Sequence, residues 1–136
     1  MTQTETFASA AVAAPHLAAA RAGRDILIAG GDAIEAMVAM AAAIAVVYPH
    51  MNSIGGDGFW LIHDPRGKVR AIEACGYAGA RATIRFYRDQ GYDVMPARGP
   101  HAALTVPGAV GGWMAALELS KALGGKLPLA DLLAEI

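Results

Sequence analysis

The first apolar pattern along the chain has the period of an α-helix. It runs from His16 to Ala29, where apolar side chains recur every three or four residues and charged side chains fill positions between them. The face expected to be buried consists of Leu17, Ala20, Leu27 and Ile28. Gly30 and Gly31 follow, and glycine is common just beyond a helix C-terminus. A first helix is therefore predicted from His16 to Ala29.

A second helix is predicted from Asp32 to Val47. Asp32 is a candidate N-cap, and Glu35 follows it at the spacing of a capping box. The segment is apolar on nearly every side, which predicts burial on several sides. Pro49 ends it because proline lacks a backbone donor and restricts the residue before it. The apolar run is shorter than the roughly 20 residues that span a bilayer, which favours a core helix.

The pattern then changes to that of a β-hairpin. Short apolar strands are predicted from Phe59 to His63 and from Val69 to Ala74. Pro65 and Gly67 lie between them and favour a turn. The chain therefore is expected to pass from a buried helix directly into two antiparallel strands.

Four shorter elements are predicted beyond the hairpin. They are a helix from Thr83 to Gln90, a strand from Ala102 to Val106, a helix from Ala109 to Leu123, and an amphipathic helix beginning at Leu127. The order of elements favours one α/β (α+β) unit over residues 1–136. Because the last apolar stripe reaches Ile136 without a cap, this unit is interpreted as an incomplete domain.

Composition narrows the classes of function. The formal net charge is −1 and 17% of residues are charged, which argues against a nucleic-acid or anionic-membrane partner. Cys75 is the single cysteine, as expected in a reducing compartment. The first 16 residues lack the basic and apolar regions of a secretory signal. A cytoplasmic location is therefore predicted.

A glycine-rich segment, Ser53 to Gly58, separates the second helix from the first strand. Phosphate-binding loops lead from a strand into a helix, whereas this one leads from a helix into a strand and fits neither common motif. Nucleotide binding is therefore disfavoured. Gly55, Gly56 and Gly58 are instead predicted to form a tight turn that needs positive φ angles.

No complete set of catalytic residues can be identified. The four histidines are scattered and lack metal-ligand spacing, so neither a metal site nor a cofactor is predicted. No histidine is tied by motif to Cys75, which is interpreted as a small buried residue. Thr2 would become N-terminal if Met1 were removed, but any chain beginning Met-Thr shares that property. From these residues alone, a non-catalytic binding or assembly module stays open.

The order of motifs resembles the start of the gamma-glutamyltransferase (gamma-glutamyltranspeptidase) family. The matching segments cover residues 11–64, the TVPGAVGGW stretch at 105–113, and LPLADLLAEI at 127–136. The resemblance implies an N-terminal nucleophile (Ntn) hydrolase with an αββα sandwich, incomplete here, made as a proenzyme that cuts itself into two subunits. The nucleophile would be the new N-terminal threonine of the small subunit, downstream of this chain. The rest of the large subunit and the small subunit would then be its partners.

The resemblance also implies a candidate substrate-binding position. Glutamyl-specific members carry an arginine after the hairpin that pairs with the substrate α-carboxylate. Laying that segment on Ile72 to Gly79 puts Cys75 at the arginine position and Gly79 at a proline position. A thiol cannot form the bidentate ion pair of an arginine. The stretch is more similar to the branch that includes oxamate amidohydrolase, with glutathione hydrolase as the alternative.

Overall fold

The computed structural model describes residues 9–102 and 105–134 of the chain. Its elements in chain order are α1 (Leu17–Ile28), α2 (Ala33–Val47), β1 (Gly58–His63), β2 (Val69–Ala74), α3 (Ile84–Asp89), a 3-10 turn (Pro100–Ala102), α4 (Ala109–Leu123) and α5 (Leu129–Leu132). The predicted helix–helix–hairpin order is confirmed. Helix α4 packs against α2 and against both strands of the hairpin, while α1 lies along α2.

Helix α1 forms where it was predicted, but the predicted buried face is wrong. Leu17 and Ile28 are 49% and 67% exposed, whereas Ala19 and Gly23 are buried. A Cβ added at Gly23 would lie 2.5 Å from Cγ of Met40 on α2. Small residues therefore face α2, and the missing side chain at Gly23 leaves room for the side chain of Met40.

Helix α2 supplies the centre of the core, as its sequence predicted. Val38, Ala39 and Ala42 are buried with Trp113 of α4 and Leu132 of α5. In the described part of the chain, no helix is both long enough and apolar enough to span a bilayer.

A buried polar junction ties the start of α2 to the end of α4. Asp32 and Glu35 form the predicted capping box, and the second Asp32 oxygen accepts the Ser120 hydroxyl at 2.7 Å. Oε1 of Glu35 accepts the backbone N–H groups of Lys126 and Leu127, each at 2.7 Å. Glu35 is only 2% exposed. A buried carboxylate needs hydrogen-bond donors in place of water, and here backbone N–H groups supply them. These five residues form the polar junction.

Strands β1 and β2 form an antiparallel hairpin whose two faces differ. On the inner face, Ile62 packs with Ile34 and Ala116. On the outer face, Phe59 and Leu61 are 72% and 78% exposed. The hairpin is therefore buried on one side only.

The hairpin turn is held by a buried carboxylate. Asp64 is 1% exposed and accepts the backbone N–H groups of Arg66 at 2.9 Å and Lys68 at 3.0 Å. Nε of Arg70 lies 3.4 Å from its other oxygen. These contacts, led by the Lys68 hydrogen bond and opposed in part by burial, keep the pKa of Asp64 below its usual value.

The strand predicted from Ala102 to Val106 is wrong in its described part. Ala102 ends the 3-10 turn, and Thr105 makes a single antiparallel bridge with Ala78. Residues 103 and 104 lie outside the described part of the chain. The other late helices are confirmed, although α5 ends at Leu132 and Ile136 is also outside the described residues.

Two adjacent glycines of α4 give a matched test of how α4 packs on the hairpin. Gly112→Ala is expected to lower the free energy of unfolding by about 1–3 kcal/mol, as overpacking does, because its Cβ would lie 2.6 Å from Cβ of Ala74. Gly111→Ala meets no atom within 4 Å and is expected to stabilise the helix by up to about 1 kcal/mol. Urea unfolding measures both. Stabilisation by both substitutions would contradict the close approach of α4 to β2.

Candidate functional site

The glycine-rich loop before β1 is not built as predicted. Among the described glycines, positive φ angles occur at Gly30, Gly67, Gly91, Gly99 and Gly124 and not at Gly55, Gly56 or Gly58. Gly55 lies in a turn in which its N–H donates to the Ser53 hydroxyl at 2.9 Å, and Gly58 already begins β1. A turn is therefore present at Gly55, but the predicted positive φ angles are wrong for all three glycines.

Contact with α4 provides a better explanation for the loop. The carbonyl of Gly56 accepts the N–H groups of Gly108 at 3.0 Å and Ala109 at 2.9 Å, at the start of α4. A Cβ at Gly58 would lie 3.6 Å from Cα of Ala109. These donors of the helix N-terminus are thus satisfied by the loop itself, which argues further against a phosphate cradle.

At the end of β2, two glycines let the backbone pack very closely against the segment that precedes α4. A Cβ at Gly76 would overlap the carbonyl oxygen of Val106 and lie 2.6 Å from the backbone nitrogen of Val106. A Cβ at Gly108 would overlap the Ala74 oxygen and lie 2.7 Å from the Ala74 carbonyl carbon. The Val-Pro-Gly segment before α4 therefore packs directly on the residues that flank Cys75.

Cys75 is half-buried immediately after β2, next to acidic groups. Its Sγ donates to Oε1 of Glu73 at 3.2 Å, and the next N–H, of Gly76, donates to Oδ1 of Asp57 at 3.4 Å. The hydrogen bond to Glu73, followed by burial, raises the pKa of the Cys75 thiol. A neutral thiol is a poor nucleophile.

The four histidines make different local contacts. His16 caps α1 by accepting the Ala18 N–H at 3.2 Å, and the ring of His50 lies 4.1 Å from that of Tyr48. His63 ends β1, and Nδ1 of His101 lies 3.2 Å from the Tyr92 hydroxyl. Within residues 9–102 and 105–134, no three His, Cys, Asp or Glu side chains are placed to hold a metal ion. Thr2 lies outside the described residues.

A groove of 750 Å³ runs between α2 and β1. Its α2 side includes Met37, Ala41 and Ile44, and its β1 side includes Phe59 and Leu61. The sequence analysis did not identify this groove, although the nearly uniform apolar surface of α2 was a signal that a further partner packs there. Met37 is 46% exposed in the described structure.

Comparisons with known proteins agree with the order of motifs. The family model described as gamma-glutamyltranspeptidase matches residues 19–135. The oxamate amidohydrolase proenzyme of Klebsiella pneumoniae subsp. pneumoniae is 58% identical over 123 residues, covering 90% of this chain and 23% of that protein. The glutathione hydrolase-like YwrD proenzyme of Bacillus subtilis is 43% identical, covering 90% of this chain and 22% of that protein. The chain thus spans less than a quarter of these relatives.

A solved structure gives the same result. The crystal structure of Helicobacter pylori gamma-glutamyltranspeptidase matches with a TM-score of 0.83 and 31% sequence identity, covering 98% of this chain and 38% of that chain. This likeness confirms the predicted α/β (α+β) class and its relation to the Ntn-hydrolase sandwich. The two-stranded sheet of the described residues is part of that fold.

Proposed function

Because the chain belongs to the gamma-glutamyltranspeptidase family, we propose that it is the N-terminal part of the large subunit of a self-processing amidohydrolase. Its relatives act on C–N amide bonds, and several are named as proenzymes. The proposed substrate is a small amide of the oxamate type. The choice rests on Cys75, which the resemblance puts at the position of an arginine in glutamyl-specific members.

The surroundings of Cys75 argue against the alternative, a glutamyl donor. Glu73 and Asp57 place carboxylate oxygens at the thiol and at the neighbouring Gly76 N–H. Acidic groups next to a neutral thiol disfavour the α-carboxylate of a glutamyl donor, which an arginine would attract. The 58% identity to an oxamate amidohydrolase proenzyme favours the same choice.

The proposed reaction is acyl transfer to threonine. The N-terminal threonine of the processed small subunit, outside this chain, attacks the amide carbon while its own α-amine accepts the hydroxyl proton. The α-amine then passes this proton to the leaving nitrogen, the C–N bond breaks and ammonia leaves from a primary amide. Water hydrolyses the resulting ester. In this proposal the 136 residues supply the scaffold and one wall of the acyl pocket, and the enzyme needs no cofactor.

The partners of this segment are proposed to be the rest of the large subunit and the small subunit. The outer face of the hairpin supports this, because Phe59, Leu61 and Val69 are 72%, 78% and 58% exposed. A contiguous exposed apolar face is typical of a surface that another part of the protein covers. The single cysteine favours a cytoplasmic location for the whole enzyme.

The full-length protein tests this proposal directly. We expect a denaturing gel to show two chains, and ammonia release from oxamate to exceed hydrolysis of a γ-glutamyl anilide. Replacing the N-terminal threonine of the small subunit with alanine should abolish both activities. A protein that stays uncut and inert would contradict the enzyme hypothesis. Efficient turnover of the anilide without oxamate hydrolysis would favour a glutathione hydrolase.

A further inference from the structure

A large exposed side chain, that of Tyr77, follows Cys75 beyond the end of β2. Glu73 is exposed on the outer face of the hairpin, where it pairs with Phe59. The Sγ of Cys75 lies 3.2 Å from Oε1 of Glu73, so the two side chains are on the same side of the chain. Tyr77 comes two positions after Cys75 and is 90% exposed. Its position and its exposure both indicate that Tyr77 continues the outer face.

The contacts of Gly76 show which side of this segment is covered. A Cβ added at Gly76 would overlap the Val106 carbonyl oxygen, so the segment before α4 covers the side that Gly76 faces. The Val106 N–H also donates to the Tyr77 carbonyl at 3.2 Å, which fixes the backbone of Tyr77. Side chains alternate along an extended chain. Cys75 and Tyr77 therefore share the side opposite to that of Gly76.

Tyr77 is the last residue that can extend this face. The next residue, Ala78, makes an antiparallel bridge with Thr105. The chain then turns, because the Ala82 N–H donates to the Gly79 carbonyl at 2.8 Å. The phenol of Tyr77 therefore stands at the end of the outer face, on backbone that is hydrogen-bonded to its neighbour.

Tyr77 is also farther from the acidic group of this face than the thiol is. Glu73 lies next to Cys75 and accepts its hydrogen bond. Tyr77 is four positions beyond Glu73, about 13 Å along an extended chain. Its hydroxyl is a neutral hydrogen-bond donor. An anion is therefore easier to place at the phenol of Tyr77 than at the thiol of Cys75.

An oxamate-type substrate needs its carboxylate donor at a different place from a glutamyl donor. In a glutamyl group, Cα, Cβ and Cγ separate the α-carboxylate from the amide carbon, whereas in oxamate the carboxylate is bonded directly to the amide carbon. A pocket of glutamyl length would leave a gap beside oxamate, and the atoms that line a gap lose their contacts. A tyrosine can fill such a gap with its ring and donate a hydrogen bond from its hydroxyl.

We propose that Tyr77 is a specificity-determining residue of the acyl pocket, whose ring shortens the pocket beside Cys75 and whose hydroxyl donates to the substrate carboxylate. The inference rests on the proposed function, because the pocket and the substrate class are taken from it. The substrate carboxylate does not react, so its hydrogen bond is made both before and during cleavage of the C–N bond. An interaction of that kind changes KM and leaves kcat unchanged.

Tyr77→Phe in the full-length enzyme tests the hydroxyl. We expect KM for oxamate to rise at least about tenfold with kcat within about twofold, because a hydrogen bond to a charged acceptor is lost. Tyr92→Phe is the matched control, since the Tyr92 hydroxyl lies 3.2 Å from Nδ1 of His101, and it should leave KM unchanged. A denaturing gel with two chains checks that each variant is processed. Equal KM values for Tyr77→Phe and the parent would overturn the proposal.

Tyr77→Ala tests the ring. The second substrate is succinamate, in which a CH2–CH2 link separates the carboxylate from the amide carbon. We expect the ratio of kcat/KM for succinamate to that for oxamate to rise at least about tenfold, the effect of a methylene group in a fitted pocket. Tyr77→Phe keeps the ring and should change this ratio less. An unchanged ratio in Tyr77→Ala would contradict the role of the ring.

Binding of oxalate, the product of oxamate hydrolysis, separates this inference from the proposed function. Calorimetric titration of the full-length protein needs no turnover, and Tyr77→Phe should weaken oxalate binding at least about tenfold. An inert protein whose oxalate binding depends on Tyr77 would contradict the proposed function alone. An active oxamate amidohydrolase whose KM does not respond to Tyr77→Phe would contradict the role of Tyr77 alone. A protein that binds neither oxamate nor oxalate would overturn the inference.

Discussion

Glu35→Ala is expected to lower the free energy of unfolding by about 3 kcal/mol, because three partly buried backbone donors lose their acceptor and each such loss costs about 1 kcal/mol, the low end for a buried group. The side chain is 2% exposed and accepts three backbone N–H groups, those of Asp32, Lys126 and Leu127, each at 2.7 Å. Alanine would leave all three without an acceptor in the polar junction. Urea unfolding of the variant and the parent measures the difference.

Two further variants distinguish the loss of the junction's hydrogen bonds from the loss of a negative charge. Glu118 is exposed on α4, and Glu118→Ala is expected to change stability by no more than about 0.5 kcal/mol. Glu35→Gln should be intermediate, because one end of the amide is a donor and must face a backbone N–H. If Glu35→Ala cost no more than Glu118→Ala, the junction would not contribute to folding as described.

In the polar junction, the local hydrogen bonds could be predicted from sequence and the long-range ones could not. Asp32 and Glu35 are three residues apart, and the capping box that they form was predicted because its hydrogen bonds are local. Ser120 lies 88 residues from Asp32, and Lys126 lies 91 residues from Glu35. No periodicity specifies a partner at that separation, so the tertiary half was missed.

The helices illustrate the same limit at the level of packing. The period of α1 was predicted correctly, but the largest apolar residues were assigned to the buried face. The real interface uses Ala19 and Gly23, and the side chain of Met40 on α2 occupies the space next to Gly23. A pattern gives the period of an element, whereas its neighbour decides which stripe is covered.

The glycines near the candidate site were also assigned the wrong physical role. Gly55, Gly56 and Gly58 were predicted to need positive φ and do not adopt it, whereas at Gly76 and Gly108 an added Cβ would overlap backbone atoms of another segment. The candidate substrate-binding position, Cys75, came from the resemblance and stays a prediction. The hydrogen bond between Cys75 and Glu73 joins residues that are two positions apart in the sequence. The hydrogen bond between Asp57 and Gly76 joins residues 19 positions apart and depends on the fold.

Cys75→Arg in the full-length enzyme is expected to raise kcat/KM for a γ-glutamyl anilide by about 30-fold, the low end of what a desolvated charge pair contributes. The physical reason is that a guanidinium binds a carboxylate through two parallel hydrogen bonds, whereas the neutral thiol of Cys75 offers one weak donor, already used by Glu73. Steady-state kinetics with the anilide and with oxamate measure the shift in specificity.

Control variants at and beside position 75 decide what such a gain means. Cys75→Ala removes the thiol without adding charge and should leave anilide turnover low, and Cys75→Lys should gain less than arginine because an ammonium lacks the planar fork. Glu73 accepts a hydrogen bond from this position and would compete for the new cation. Adding Glu73→Gln to Cys75→Arg should therefore increase the gain. If Cys75→Arg and Cys75→Ala gave equal kcat/KM for the anilide, position 75 would not contact the donor carboxylate, and the choice of an oxamate-type substrate would lose its main support.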